Sequence, residues 1–415
     1  MPNTKPNTPV SVFNYIEFHV LFTVLVLCTI GLTMVASSSL PTGGIGNDWG
    51  FVKRQVVAIG IGAFAAFFIF TKLSLGWLEG NRGKLFVLTL VLLALVLIVG
   101  QSVNGAKRWI GFGGLNFQPA ELAKLVVVIF MAGYLKRHAD LVSTQLRGIL
   151  RLFWPFGLMS LFLFLEPDFG SVAVSIAIIA GMLLVAGAPL RFFLVLVLPL
   201  AGILAFMVGI SDYRMSRIFV FLDPWASQFG EGYQIVQAQI ASGSGGWTGL
   251  GLGNSVQKML YLPDAHTDFI FSVYAEELGF LGVVFLMGLY IWLISRIFYV
   301  GSLARAKGLV FGANLCYGVG LWIAIQMVIN IGGNIGALPS KGLTLPFISY
   351  GGSSMIMYLV AIGLVLRVYY DASIAPMPEP AAQQGAETEA EKPSVKKTSQ
   401  KPRSRTKPER KRKSA

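Results

Sequence analysis

Apolar stretches of about 20 residues recur along nearly the whole chain, each long enough to carry a helix across the roughly 30 Å hydrocarbon core of a bilayer. Leu, Val, Ile, Phe and Gly fill these stretches without the polar–apolar alternation of a membrane barrel. The spanning element is therefore the helix, which satisfies its own backbone hydrogen bonds. Only 13% of the residues are charged and 54% are hydrophobic, and a charged share about half that of an average soluble domain excludes a water-soluble globule. The expected fold is an all-α polytopic membrane protein of about ten transmembrane helices. These cover roughly 17–38, 52–71, 84–100, 120–135, 150–165, 170–188, 191–210, 268–297, 309–331 and 351–370.

An even number of crossings places both termini on one side. Lys72, Arg82, Lys84, Lys136, Arg137, Arg147, Arg151, Arg191, Arg296, Arg305 and Lys307 fall in loops on that side, so the positive-inside bias makes it cytoplasmic. Val20–Ser37 reads as a retained first span rather than a signal peptide, because only Lys5 serves as a basic flank and Glu17 and His19 adjoin the apolar run. Cys28 and Cys316 lie inside apolar runs, where a thiol is a small hydrophobe and no disulfide framework is expected.

The organisation expected is a cytoplasmic segment 1–16, a transmembrane domain 17–370 with a large extracytoplasmic loop, 211–267, between helices 7 and 8, and a disordered basic cytoplasmic tail 371–415. The tail holds 11 basic and 6 acidic residues, a composition suited to anionic lipid or to partner docking. Nucleic-acid binding is not expected, since the net +13 is divided between tail and loops. No internal repeat of the inverted-transporter kind is visible. The extracytoplasmic loops nevertheless keep Lys53, Arg54, Lys107, Arg108, Arg214, Arg217, Lys258 and Lys341, an excess of positive charge that asks for a role.

Four segments concentrate polar chemistry. The first runs from Lys107-Arg108-Trp109 to Gln118-Pro119-Ala120-Glu121-Leu122-Ala123-Lys124. Pro119 suits a first helical turn, and Glu121 and Lys124, three apart, share a helix face, as a structural ion pair or as the lining of a polar cavity. Trp109 reads as an interface anchor or as part of a headgroup site. The second is the Gly-rich run 243–255 ending in Gly253-Asn254-Ser255. It lacks the Lys-Ser/Thr ending of a nucleotide loop, so its glycines are expected to allow tight turns and close backbone approach. The third, Tyr261-Leu262-Pro263-Asp264-Ala265-His266-Thr267-Asp268-Phe269, leads into Glu276-Glu277 and an unusually long helix. A straight helix with its apolar part starting near Leu278 lifts Asp268 about 15 Å above the core, or the helix tilts; either places Asp268 near the outer headgroups, as a helix cap or a site acid. Glu276 and Glu277 are expected to pair with nearby cations. The fourth joins Asn330 and Asn334 to Pro346-Phe347-Ile348-Ser349-Tyr350-Gly351-Gly352-Ser353, as tight small-residue packing or as a cavity wall.

In this order, over residues 15–370, these segments resemble the SEDS (shape, elongation, division and sporulation) family of polytopic peptidoglycan glycosyltransferases, on Gln-Pro-Ala-Glu-Leu-Ala-Lys, Ala-His-Thr-Asp-Phe-Ile-Phe and Pro-Phe-Ile-Ser-Tyr-Gly-Gly-Ser-Ser. Gly-Leu-Gly-Asn-Ser-Val-Gln-Lys before Tyr-Leu-Pro-Asp-Ala-His is similar to the division-type members more than to the elongation type, and Asp264 replaces a frequent Glu. The resemblance implies a transferase that joins lipid II units to a growing glycan strand with inversion, releasing undecaprenyl pyrophosphate. It implies Asp268 as the catalytic acid, and Glu121, Lys124 and Arg54 as cavity residues. Lys107, Arg108, Trp109, Asn254, His266, Asn334, Ser349 and Ser353 complete the substrate-binding candidates. A divalent cation, Mg²⁺ or Mn²⁺, is expected with ligands unassigned. A class B penicillin-binding protein transpeptidase and division-site membrane proteins are the expected partners, in an inner membrane enriched at the septum. The alternatives are a lipid II flippase and a membrane scaffold that recruits a transpeptidase.

Overall fold

The computed structural model describes residues 16–39, 49–103, 106–112, 115–192, 220–259, 261–339 and 342–376, with a few scattered positions between 192 and 220. The expected seventh span (191–210), most of segment 1–16 and nearly all of the tail lie outside the described residues, as do Arg214, Arg217 and Lys341.

The other nine expected spans fall on nine described helices. These are α1 (Phe18–Ser39), α2 (Gly50–Lys72), α3 (Leu75–Val99), α4 (Pro119–Thr144), α5 (Leu146–Leu165), α6 (Phe169–Val185), α8 (Ile270–Ala306), α9 (Val310–Asn334) and α10 (Gly352–Ile374), with a further short helix, α7 (Tyr233–Ser244), in the long loop. Of the nine, all but α4 and α6 are long and apolar enough to cross a membrane; α4 carries Glu121 and Lys124 in its first turns and α6 has 17 residues. Local chemistry sets the starts. Ser74 caps α3 by accepting from the Trp77 amide at 3.2 Å, Asp168 caps α6 through the Ser171 amide at 3.0 Å, and Pro119 opens α4 where its missing N–H is harmless. The final helix runs to Ile374, four residues into the expected tail.

The core forms around α4 and α9, which pack on each other and on α6, while α9 also packs on α8 and α10 packs on α2. Although joined by only Leu73 and Ser74, α2 and α3 take different partners, α10 and α1 for the one, α4 and α5 for the other. Their outward faces, with Phe64, Phe67 and Phe68 on α2 and Val87, Val91 and Ile98 on α3, are exposed apolar surface. That is the surface a lipid-facing helix presents.

Two features add to the expected helical fold. Between α3 and α4 stand three antiparallel strands, β1 (Gln101–Val103), β2 (Ala106–Phe112) and β3 (Leu115–Phe117). Val103 pairs with Ala106 and Phe112 with Leu115. Asn-Gly and Gly-Gly stand in the sequence between these strands, the dipeptides most suited to two-residue hairpins. Second, α8 does not project as one straight helix. It breaks at Gly279, whose φ of 64° an L side chain resists. The Gly-rich loop supplies the bonds the break releases: Leu250 and Gly251 donate to the carbonyls of Glu276 and Glu277, both at 3.0 Å, and Phe280 and Leu281 donate to Gly246 at 2.9 Å and Trp247 at 3.1 Å. A break at this depth survives only where other backbone replaces the lost partners.

Candidate functional site

The break makes residues 270–278 a separate short helix with Asp268 two residues before its start. Two asparagines one turn apart on α9 fix that position. The side-chain amides of Asn330 and Asn334 donate to the Asp268 carbonyl at 3.1 and 2.9 Å, and Asn334 Oδ1 accepts from the Ser272 hydroxyl at 2.8 Å. Both asparagines are buried, so their amides are locked to the backbone rather than offered to a ligand. The Asp268 side chain is half-buried and its carboxyl takes no hydrogen bond from the described residues. Gly342 lies against it, where a methyl group would come within 3.3 Å of Oδ2. Burial first and the Asp264 charge second push its pKa up to about 6, with Arg108 opposing. A carboxylate held this way is both available and basic enough to take a proton near neutrality.

Arg108, on β2, reaches across to the α5–α6 turn. Its Nε donates to the Glu166 carbonyl at 3.1 Å and its Nη2 to the Pro167 carbonyl. Its charge acts on Asp268 and on Glu166 alike. Beside it the start of α4 is tied to the start of α10: the Ser353 hydroxyl accepts from the Gln118 amide at 3.0 Å and donates to the Asn116 carbonyl at 2.9 Å. On α2, buried Gln55 donates to the Ser349 carbonyl at 3.2 Å and accepts from the Gly351 amide at 3.3 Å. Ser349 accepts from the Leu345 amide at 2.8 Å. Ser349 and Ser353 are buried and spend their hydroxyls on backbone, the latter joining the starts of α4 and α10.

Deeper in α4, Glu121 and Lys124 form the expected ion pair at 2.7 Å, with Lys124 fully buried and its Nζ 6.0 Å from the centre of the Trp322 ring. Around it the buried atoms Glu121 Oε2 and Gln326 Nε2 have no hydrogen-bond partner. This is a polar centre between α4 and α9, not a surface pair.

Other candidates are not gathered in. Arg54 and Lys107 are exposed and make no ion pair among the described residues. Trp109 is half-buried on β2 opposite Gln101. Asn254 is exposed and its amide bonds the Leu250 carbonyl of its own turn at 3.1 Å. The His266 ring packs between Phe51 and Tyr350, with centroids 4.4 and 5.6 Å away, and burial lowers its pKa, against the pull of Asp264. That places a neutral imidazole in an aromatic stack.

Of Glu276 and Glu277, Glu277 pairs with a cation as expected, Lys258, whereas Glu276 is held by neutral donors. Lys258 Nζ meets Glu277 Oε1 at 2.6 Å and the Ser37 hydroxyl at 2.8 Å, while Glu276 accepts from the Val256 amide at 3.0 Å and from the Ser255 hydroxyl. This clamp ties the end of α1, the long loop and the short helix into one unit.

Sequence reading passed over Gln55, Glu166 and Asp168. Glu166 is fully buried and Asp168 nearly so. Burial first and then the Asp168 charge push Glu166 up to about 8, with Arg108 opposing. A Glu-Pro-Asp turn between two apolar runs was the available signal. Among the described residues no three His, Cys, Asp or Glu side chains lie close enough to hold a metal ion by themselves.

Comparison with known proteins gives a consistent picture. Residues 18–374 match the family model of FtsW, RodA and SpoVE, described as cell cycle proteins. The chain is 51% identical over 355 residues to a protein of Hydrogenovibrio crunogenus named "probable peptidoglycan glycosyltransferase FtsW", covering 85% of this chain and 91% of the relative. A Coxiella burnetii protein of the same name is 43% identical over 356 residues, covering 84% and 95%. Among solved structures, a chain from a peptidoglycan synthase complex that coordinates polymerization and crosslinking is similar at a TM-score of 0.71 and 32% identity, covering 86% of this chain and 99% of that one. Thermus thermophilus rod shape determining protein RodA is similar at 0.64 and 30%, covering 88% and 99%.

Proposed function

The chain belongs to the FtsW, RodA and SpoVE family of cell cycle proteins, and from that premise we propose that it is a peptidoglycan glycosyltransferase of the FtsW type. It polymerises lipid II, with the end of the bundle that carries Asp268 facing the outside of the cytoplasmic membrane. The observation that carries this reading is Asp268 itself. Its backbone is fixed by two buried asparagines, its carboxyl is left without a hydrogen bond, and its pKa is raised to about 6.

In the reaction the Asp268 carboxylate takes the proton of the acceptor sugar's 4-hydroxyl as that oxygen attacks the anomeric carbon of the donor. The pyrophosphate leaves from the opposite face, so the α linkage inverts to β. General-base assistance of this kind is worth about 10²–10⁴ in rate, and holding two large lipids in register adds to it. Arg108 keeps two of its nitrogens on backbone carbonyls, which points a fixed positive charge toward the leaving diphosphate. Lys107, exposed beside it on β2, adds charge without a fixed geometry. A divalent cation, Mg²⁺ or Mn²⁺, would supply neutralisation of the leaving diphosphate when bound. With no three-carboxylate or histidine cluster among the described residues, the fit is to an ion shared with the substrate's phosphates rather than to a protein cage. We further propose that the protein works at the division septum beside a class B penicillin-binding protein, a pairing the similarity to a chain of a synthase complex supports.

The test is polymerisation of lipid II by the purified protein with its transpeptidase partner and divalent cation. Wild type is expected to make glycan strands, and Asp268→Asn, equal in size and folded, to make none. Strands at the wild-type rate from Asp268→Asn would sink the mechanism, and lipid II translocation without strands would favour the flippase.

A further inference from the structure

The α5–α6 turn, Glu166-Pro167-Asp168, holds an arrangement that packing does not account for. Glu166 is 0% exposed and neither of its carboxyl oxygens has a hydrogen-bond partner. A buried carboxyl in that state is costly in either protonation form, and the remedy stands beside it unused. Arg108 approaches this turn but spends its Nε and Nη2 on the carbonyls of Glu166 and Pro167, leaving the side-chain carboxyl unpaired. Asp168 follows two residues later, its Oδ1 accepting from the Ser171 amide and its Oδ2 from the Ser171 hydroxyl at 2.8 Å and the Gln118 amide at 3.4 Å. Its oxygens are thus oriented, and Oδ1, with a single hydrogen bond, keeps a lone pair free.

The setting sharpens the question. A lipid-linked diphosphate entering beside Arg108 brings two or more negative charges toward Glu166, Asp168, Asp264 and Asp268. One guanidinium does not offset the diphosphate and three aspartates together. A divalent cation shared between carboxylate and phosphate turns that repulsion into ligation, and Mg²⁺ characteristically binds through one or two carboxylates plus substrate phosphates and waters. Oxygen-only ligands suit Mg²⁺ and Mn²⁺ over softer metals. Because the Glu166 carboxyl makes no hydrogen bond, rotating it toward the diphosphate breaks none.

We propose that Glu166 and Asp168 are the protein ligands of a divalent cation that is completed by the diphosphate of the lipid-linked donor. The inference rests on the glycosyltransferase reading above and names the residues that serve its leaving group.

The experiment uses the full-length protein in lipid nanodiscs, with Mn²⁺ as the probe and undecaprenyl pyrophosphate as the added diphosphate, read by electron paramagnetic resonance. Wild type is expected to bind Mn²⁺ with a coupling to ³¹P that appears only with the lipid. Glu166→Gln is expected to weaken that binding at least about tenfold, the minimum seen even for outer-shell partners of metal ligands, without lowering the melting temperature of the metal-free protein. Asp168→Asn is expected to weaken it as well while keeping the α6 cap, since Asn caps as well as Asp; it carries the test should Glu166→Gln not fold. Asp268→Asn is expected to leave it unchanged. Wild-type Mn²⁺ affinity in Glu166→Gln or Asp168→Asn overturns the inference, as does an equal loss in Asp268→Asn, which marks a diffuse field rather than ligation. Glycan strands made from lipid II by the same wild-type nanodiscs, without a Glu166-dependent Mn²⁺ signal, overturn this inference alone. Absence of both strands and signal, with the transpeptidase partner added to the nanodiscs, overturns the glycosyltransferase reading with it.

Discussion

Glu276 and Glu277 in the short helix of α8, and Asp268 and Glu166 nearby at the same end of the bundle, are all carboxylates withdrawn from water, but only the first two are bonded at every oxygen. Glu277 holds Lys258 and Ser37, and Glu276 holds Ser255 and the Val256 amide. Asp268 and Glu166 have no side-chain hydrogen bond among the described residues. Bonded acids of this kind hold a fold together; acids kept from partners that lie within reach are available to something outside the fold. Charge and burial alone do not separate the two groups. Satisfaction of the hydrogen bonds does.

The strongest way to break that comparison is to neutralise one acid from each group and measure thermal or denaturant stability. Glu277→Gln leaves the Lys258 ammonium buried, 3% exposed, without its counter-charge, and removing one partner of a buried pair costs about 3–5 kcal/mol. Glu166→Gln removes a carboxyl that has no partner to abandon, and its stability is expected to stay within about 1 kcal/mol of wild type, in the range of substitutions that sever no bond. Equal losses in the two variants would show that Glu166 is structural after all.

How much of this was legible in the sequence follows from where the physical cause lies. Hydrocarbon thickness acts on each apolar run separately, so nine described helices fell where hydropathy placed them. The β1–β3 hairpins were also local, signalled by Asn104-Gly105 and Gly113-Gly114, and were passed over because the surrounding composition is helical. The break at Gly279 was out of reach. One glycine in an apolar run looks harmless, and the break exists only because residues 246–251 return to bond both of its edges. Asp268, Glu121 and Lys124 stood out as ionisable groups in apolar surroundings. Glu166 did not, because a Glu-Pro-Asp turn is ordinary until Arg108 is seen bonding the backbone and sparing the side chain. Asn254 and His266 were candidates as polar residues in the right segments. Tertiary structure occupies them, with a turn of the loop and with an aromatic stack.

Asn334 lies on the boundary between the two groups, a bonded residue whose bonds place an unbonded one. Asn334→Ala removes the donor to the Asp268 carbonyl at 2.9 Å and the acceptor for Ser272. The expected destabilisation is about 1–3 kcal/mol, the cost of buried polar atoms left unpaired. Lipid II turnover is expected to fall further than stability does, through kcat rather than KM, because the base loses its alignment. A loss in KM alone would make Asn334 a substrate contact.

The smallest expected effect is the one most specific to an unbonded acid, its titration. Asp268 must be ionised to act as base, and its pKa is raised to about 6, so kcat/KM is expected to be level above that value and to fall tenfold per pH unit below it. Burial is the first cause of the elevation and the Asp264 charge the second, so Asp264→Asn is expected to move the acid limb to lower pH with the plateau little changed. Arg108 opposes the elevation, and Arg108→Gln is expected to move the limb the other way while also lowering the plateau, because the charge facing the leaving diphosphate is lost. Opposite displacements from two residues that flank one carboxyl tie the limb to Asp268. Displacements of the same sign, or none, would assign it to another group and would place Asp268 with the bonded acids.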